Sequence, residues 1–149
     1  MVNCNELETG DLLLFESTPK KYNYFFLFDY LIKKFTNSKF THCAVVLKNP
    51  KFFNKNLDDG IYIWESGIEP TNDVEDNKKK FGVQITKFDD YIKYWGSETK
   101  FYTRQWKINK TLKDKIFSDI NLKILNACVY DKPYDINPFD WVEGLLQLN

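Results

Sequence analysis

Thr41-His42-Cys43-Ala44-Val45-Val46-Leu47, ended by Asn49-Pro50, and Ile61-Tyr62-Ile63-Trp64-Glu65, ended by Ser66-Gly67, are the stretch whose reading decides the fold. Both runs are rich in β-branched and aromatic residues and bounded by turn residues, so each reads as a strand. The polar segment Lys51 to Gly60, closing on Asp58-Asp59-Gly60, joins them as an antiparallel hairpin with a long loop. Side chains alternate along a strand, so His42 shares a face with Ala44 and Val46, and Glu65 shares one with Ile61 and Ile63. In an antiparallel pair the start of one strand lies beside the end of the next. His42, the sole histidine, and Glu65 can therefore be direct cross-strand neighbours. A carboxylate in that place accepts the ring N–H, fixes the tautomer and stabilises the imidazolium. The blander alternatives are a satisfied structural histidine at a sheet end and a solvated edge-strand glutamate.

Around this hairpin the pattern extends in both directions. Glu8-Thr9-Gly10-Asp11 reads as a turn, and Leu12-Leu13-Leu14-Phe15 as a short buried strand broken by Ser17-Thr18-Pro19. Tyr22 to Phe35 reads as a buried amphipathic helix, with apolar Phe25, Phe28, Leu31, Ile32 and Phe35. Glu69 to Lys80 is charged, Asn-rich and aperiodic, which suits a mobile surface loop. Val83 to Thr86 is a further strand, Lys87 to Trp95 a short helix ended by Gly96, and Lys100 to Trp106 an alternating strand. Thr111 to Val129 predicts one long helix, capped by Thr111, with the apolar stripe Leu112, Ile116, Ile120, Ile124 and Cys128. Asn137-Pro138 reads as the cap and first residue of a last helix. The order predicts one α+β domain over residues 1–149: a small antiparallel sheet or half-barrel packed against helices.

Composition removes several function classes. The 149 residues carry 21 basic and 21 acidic side chains, and the zero net charge argues against a nucleic-acid binder. Arg104 is the one arginine, so phosphate clamps built on arginine forks are not expected. The most apolar run, Tyr24 to Ile32, is interrupted by Asp29 and falls short of the roughly 18 residues a membrane span needs, so no transmembrane segment is expected. Cys4, Cys43 and Cys128 are odd in number and lack Cys-x-x-Cys spacing, and Met1 to Thr9 is polar, so a reducing, cytoplasmic home is expected. No zinc, calcium or phosphate-loop spacing occurs, so neither metal nor cofactor is expected.

A histidine–carboxylate pair wants a nucleophile, and thiolates form readily beside an imidazolium. Cys43 follows His42 and points to the opposite face, so it reads as core. Cys128 falls on the apolar stripe and also reads as core, and Cys4 sits in a polar stretch with nothing to activate it. Ser66, beside Glu65, is a weaker hydroxyl candidate.

Thr9-Gly10-Asp11-Leu12-Leu13-Leu14-Phe15, then Phe40-Thr41-His42-Cys43-Ala44-Val45-Val46-Leu47, then Trp64-Glu65-Ser66-Gly67 resemble, in order and spacing, the permuted papain-like, NlpC-type cysteine hydrolases, including the YiiX-like bacterial members. Phe81 to Thr86, Lys132-Pro133-Tyr134-Asp135 and Asn137-Pro138-Phe139-Asp140-Trp141 are most similar to the branch encoded by large DNA viruses. The resemblance implies a circularly permuted papain core in which His42 is the general base and Glu65 the orienting acid. It implies a peptide, amide or acyl-lipid substrate and, for the viral branch, a place in the host cytoplasm or the virion.

The family's nucleophilic cysteine lies downstream of the segment matched by Asn137 to Trp141, and no cysteine follows Cys128 in this sequence. Three outcomes follow: a domain truncated after the helix that starts at Pro138, a non-catalytic member that binds peptide, lipid or protein, or a recruited local thiol. A truncated domain would expose apolar surface around Trp141, Leu145 and Leu146, open to a partner or a second copy. An assembly protein of a virion or host complex is a further reading. The His42→Ala variant is expected to fold normally, since a residue at a strand end adds little to the core.

Overall fold

A computed structural model describes residues 4–18, 25–68 and 71–133. After a single 3-10 turn at Cys4–Glu6 come β1 (Leu12–Ser17), α1 (Phe25–Thr36), β2 (His42–Lys48), β3 (Ile61–Ile68) and β4 (Phe81–Lys87). Then follow α2 (Phe88–Trp95), β5 (Thr99–Arg104), α3 (Lys110–Ile116) and α4 (Asp119–Val129). The five strands form one sheet in the order β4-β3-β2-β1-β5, antiparallel at every junction. The protein is thus α+β, with a small antiparallel sheet and four helices among the described residues. The helix expected from Pro138 and the surface around Trp141, Leu145 and Leu146 lie outside the described residues.

Alternation gives the sheet two apolar faces. On one, Leu13, Phe15, Ala44, Val46 and Ile63 pack with Leu7 and with Phe88 and Tyr91 of α2. On the other, Leu47, Tyr62, Trp64 and Ile85 meet Leu122 of α4, with Phe52, Phe53 and Phe117 at the margin. The β2–β3 loop closes where Asn49 and Gly60 meet: the Asn49 N–H donates to the Gly60 carbonyl at 2.9 Å, and the Gly60 N–H to Asn49 Oδ1 at 2.7 Å. β3 runs past Ser66-Gly67 to Ile68, because β4 pairs with it as far as Ile68↔Phe81.

The Gly10-Asp11 turn locks this arrangement. Gly10 takes φ +91°, and a Cβ there would stand 2.3 Å from the Phe117 ring, so two requirements select glycine. Its N–H donates to the Val46 carbonyl, and the Val46 N–H donates to the Asp11 carbonyl. The Asp11 carboxylate is fully buried. It accepts the Glu8 N–H at 3.0 Å and pairs with Lys113 Nζ of α3 at 2.6 Å. The residues that open the family-like motif therefore hold β1, β2 and α3 together. Asp11→Ala leaves the enclosed Lys113 ammonium with only the longer 3.5 Å contact to the exposed Glu8. That substitution should cost about 3–5 kcal/mol, read from denaturant midpoints at constant m-value.

The long helix expected over Thr111 to Val129 is two helices. Phe117 leaves helical geometry at φ −96°, ψ 31°, and Ser118 caps α4 by accepting the Asn121 N–H. Asn109, not Thr111, caps α3, accepting the Leu112 N–H at 2.8 Å. The expected stripe faces outward: Leu112, Ile116, Ile120, Ile124 and Cys128 are all exposed. The inward face instead uses Lys113, Phe117, Leu122, Asn126 and Val129. Two of those are polar, and each donates to another segment, Lys113 Nζ to Asp11 and Asn126 Nδ2 to Glu75. On α1, Lys33 Nζ donates to the Ser17 carbonyl, and Leu31 and Phe35 of the expected inward stripe are exposed while Ile32 is half-buried.

The charged segment before β4 is anchored and not a free loop. Lys80, nearly enclosed, lies 2.9 Å from buried Asp73, 3.3 Å from Asp76 and 3.4 Å from Asp131, and its ammonium stands over the Tyr130 ring. Burial opposes its charge, but Asp73 and Asp76 prevail and hold the ammonium above its ordinary range. Burial also pushes the Glu75 carboxyl up, an effect partly offset by Asn126 Nδ2 donating to it at 2.6 Å. A carboxyl raised in the folded state binds its proton more tightly there than in the unfolded chain. Its contribution therefore falls as pH rises from roughly 4 through the raised value. Glu75→Gln keeps the acceptor for Asn126 and removes that fall. Its stability relative to the parent should be near parity at pH 4 and favour the variant at pH 7, checked by urea denaturation at both.

Candidate functional site

His42 begins β2 and faces the sheet side packed by α2. β1 holds it from one side: Phe15 is its register partner, and the two rings lie 5.1 Å apart, tilted by 47°. β3 supplies the carboxylate from the other. His42 Nε2 stands 2.5 Å from Glu65 Oε2, and the Glu65 side chain has no solvent exposure while the imidazole retains 30%. The two are not directly opposite, as the hairpin reading had them. The β2–β3 ladder runs from Lys48↔Ile61 to Val45↔Trp64, a register that carries Glu65 toward Ala44 and makes its reach to His42 diagonal. Such diagonals are within the length of glutamate and histidine side chains.

The geometry determines what this pair can do. A carboxylate only accepts, so the ring donates Nε2–H to Glu65, and the lone pair resides on Nδ1. With Nε2 on Glu65, Nδ1 is the ring nitrogen that can act as a base. The ring as a whole remains partly exposed.

The sulfur and hydroxyl candidates stand apart from this pair. Cys43 points to the other side of β2 and is exposed, not core. Cys128 is exposed on α4, because its stripe faces away from the sheet. Cys4 is partly buried against the core cluster that includes Phe15 and Ala44. Ser66 follows Glu65 on β3 and so faces the opposite side. None of these four is hydrogen-bonded to His42 among the described residues. Nor, among those residues, do three His, Cys, Asp or Glu groups gather as a metal site.

One neighbour was not read from the sequence. Gln84 of β4 is the register partner of Glu65 and has no exposed surface. In Val83-Gln84-Ile85-Thr86 the polar residues alternate with the apolar ones, which reads as a solvent-facing side. The structure puts Gln84 and Thr86 on the enclosed face. No local signal separates those two cases.

No protein-family model matches this chain, and no curated protein matches it. Among the described residues, no helix is long and apolar enough to cross a membrane.

The enclosed partner puts a figure on His42→Ala: removing the imidazole strips Glu65 of its hydrogen-bond partner, so the variant should still fold but lose about 1–3 kcal/mol. A double-mutant cycle with Glu65→Ala should return a coupling of roughly 1–3 kcal/mol. A coupling indistinguishable from zero would show that the two side chains do not meet in solution.

Proposed function

We propose that this chain carries the base and orienting acid of a permuted papain-like, NlpC-type cysteine hydrolase acting on a peptide, amide or acyl-lipid bond. The observation behind this reading is the 2.5 Å contact between the sole imidazole and an enclosed carboxylate on the adjoining strand, with the second ring nitrogen free to serve. The antiparallel order β4-β3-β2-β1-β5 also suits it, since the base and acid strands adjoin, as the family-like motif order implies. The free, exposed thiols of Cys43 and Cys128 suit a reducing compartment.

In such a reaction Nδ1 of His42 takes the proton of a thiol, and the thiolate adds to the carbonyl carbon. The imidazolium, held by Glu65, returns that proton to the leaving amine or alcohol, and a thioester forms. Water then surrenders a proton to Nδ1, attacks the thioester carbonyl and releases the acid and the thiol. The nucleophile is a thiol other than Cys4, Cys43 and Cys128. The second reading, a non-catalytic binding module, is favoured by the same placement: none of those three thiols bonds to His42.

The deciding experiment uses the protein expressed from its whole natural gene. It is incubated with fluorescent acyl esters and peptide amides, and a hydroxylamine-labile acyl adduct is sought by mass spectrometry. The hydrolase reading expects that adduct, with turnover reduced at least about 100-fold in His42→Ala. If no adduct forms, and parent and variant bind the same peptides or lipids equally, the binding-module reading replaces it.

A further inference from the structure

Four buried polar atoms on one patch of the sheet lack partners: Glu65 Oε1, both Nε2 and Oε1 of Gln84, and Thr86 Oγ1. Gln84 and Thr86 have no exposed surface, and Glu65 is almost as enclosed. The three share a face. Gln84 is directly across from Glu65 in the ladder, and Thr86, two residues along β4, is across from Ile63. Directly opposed side chains have Cβ atoms about 4.5–5.5 Å apart, well within the reach of a carboxamide and a carboxylate. Leaving an enclosed carboxamide with none of its hydrogen bonds is one of the costlier arrangements a core can contain. Here a donor-rich group adjoins a carboxylate with an unused oxygen.

The four atoms do not bond one another as placed; we propose that rotation of its carboxamide makes Gln84 a positioning residue, its Nε2–H donating to Glu65 Oε1 and fixing the carboxylate so that Oε2 stays on His42 Nε2–H. The Thr86 hydroxyl supplies the complementary donor for Gln84 Oε1. The chain Thr86–Gln84–Glu65–His42 then runs across β4, β3 and β2 and ends at Nδ1. Each member sets the orientation of the next, and Gln84 acts on the imidazole only through Glu65. The inference rests on the pairing of His42 with Glu65 that underlies the function proposed above.

Two physical consequences separate an engaged carboxamide from an idle one. Replacing an idle, unsatisfied amide by an apolar chain of equal length removes a penalty and stabilises the fold. Replacing an engaged one destabilises it and frees the carboxylate to rotate. The test is nuclear magnetic resonance on the 15N-labelled full chain, in which the lone histidine gives one imidazole spin system. In the parent, the Gln84 side-chain N–H protons should be protected from solvent exchange, and so should the His42 Nε2–H proton. Gln84→Met should unfold at lower denaturant and cut the protection of His42 Nε2–H about tenfold or more. Gln84→Asn, which retains the amide but withdraws it by one methylene, should do the same in part.

A more stable Gln84→Met with unchanged His42 Nε2–H protection would overturn the proposal, as would rapid exchange of the Gln84 amide in the parent. The parent measurement decides the matter even if the Met variant does not fold. Glu65→Met, which removes both acceptor oxygens, is the control for the underlying pair. If it leaves the His42 Nε2–H signal as in the parent, the His42–Glu65 reading itself fails. If it abolishes protection while Gln84→Met does not, the pair stands and only the role of Gln84 falls.

Discussion

A carboxylate sealed inside a protein persists in its charged form only while something donates to it, and that constraint shapes this structure in three places. Among the described residues, the buried carboxylates are Asp11, Glu65 and Asp73. Each faces a basic side chain: Lys113 of α3, His42 of β2, and Lys80 just before β4. Removing either member of such a pair strands the other in low dielectric, so each pair fixes the relative placement of two elements more strictly than apolar contact would. Asp11–Lys113 clamps α3 against the start of β1. Asp73–Lys80 ties the charged segment before β4 to its own strand, and Lys80 extends the tie to Asp131 at the end of α4.

The sheet was largely legible from the sequence because β-branched and aromatic runs alternate cleanly and turn residues bound them. β2 and β3 were found with only their ends misplaced, and the histidine–glutamate contact followed from strand order alone. Its diagonal character did not, because register depends on how the Asn49–Gly60 closure sets the loop, and loop length alone does not specify that. The overrun of β3 through Ser66-Gly67 has a similar cause. Gly67 is tolerated in the strand because it meets another glycine, Gly82, across the ladder, a pairing invisible until β4 is in place.

The helices were misread for one shared reason: hydrophobic periodicity was taken to mark the inward face. On α3 and α4 the apolar stripe is exposed, and the inward positions include Lys113 and Asn126, acceptable there only because Asp11 and Glu75 arrive from distant segments. A lysine among apolar positions reads as solvated when its partner is about a hundred residues away in sequence. The charged segment before β4 behaves likewise: Asp73, Glu75, Asp76 and Lys80 meet one another and the residues of α4 and its end. Gln84 completes the set: alternation assigned it a side of the strand, but only the packing of β3 beside it determines that this side is enclosed.

The three enclosed pairs are alike in electrostatics and differ in what remains once the pair has formed. Lys113 and Lys80 present only N–H donors, and Lys80 is held more firmly protonated than an ordinary lysine. An ammonium has no lone pair to offer, so both pairs hold structure. An imidazole has two nitrogens. With Nε2–H given to Glu65, Nδ1 retains a lone pair on a ring that is still partly open to solvent. A histidine titrates near neutrality where a lysine does not. A buried acid against a basic side chain therefore only holds structure at the two lysines, whereas at His42 it leaves a ring nitrogen suited to the base role proposed above, and the side chain that meets the acid makes the difference.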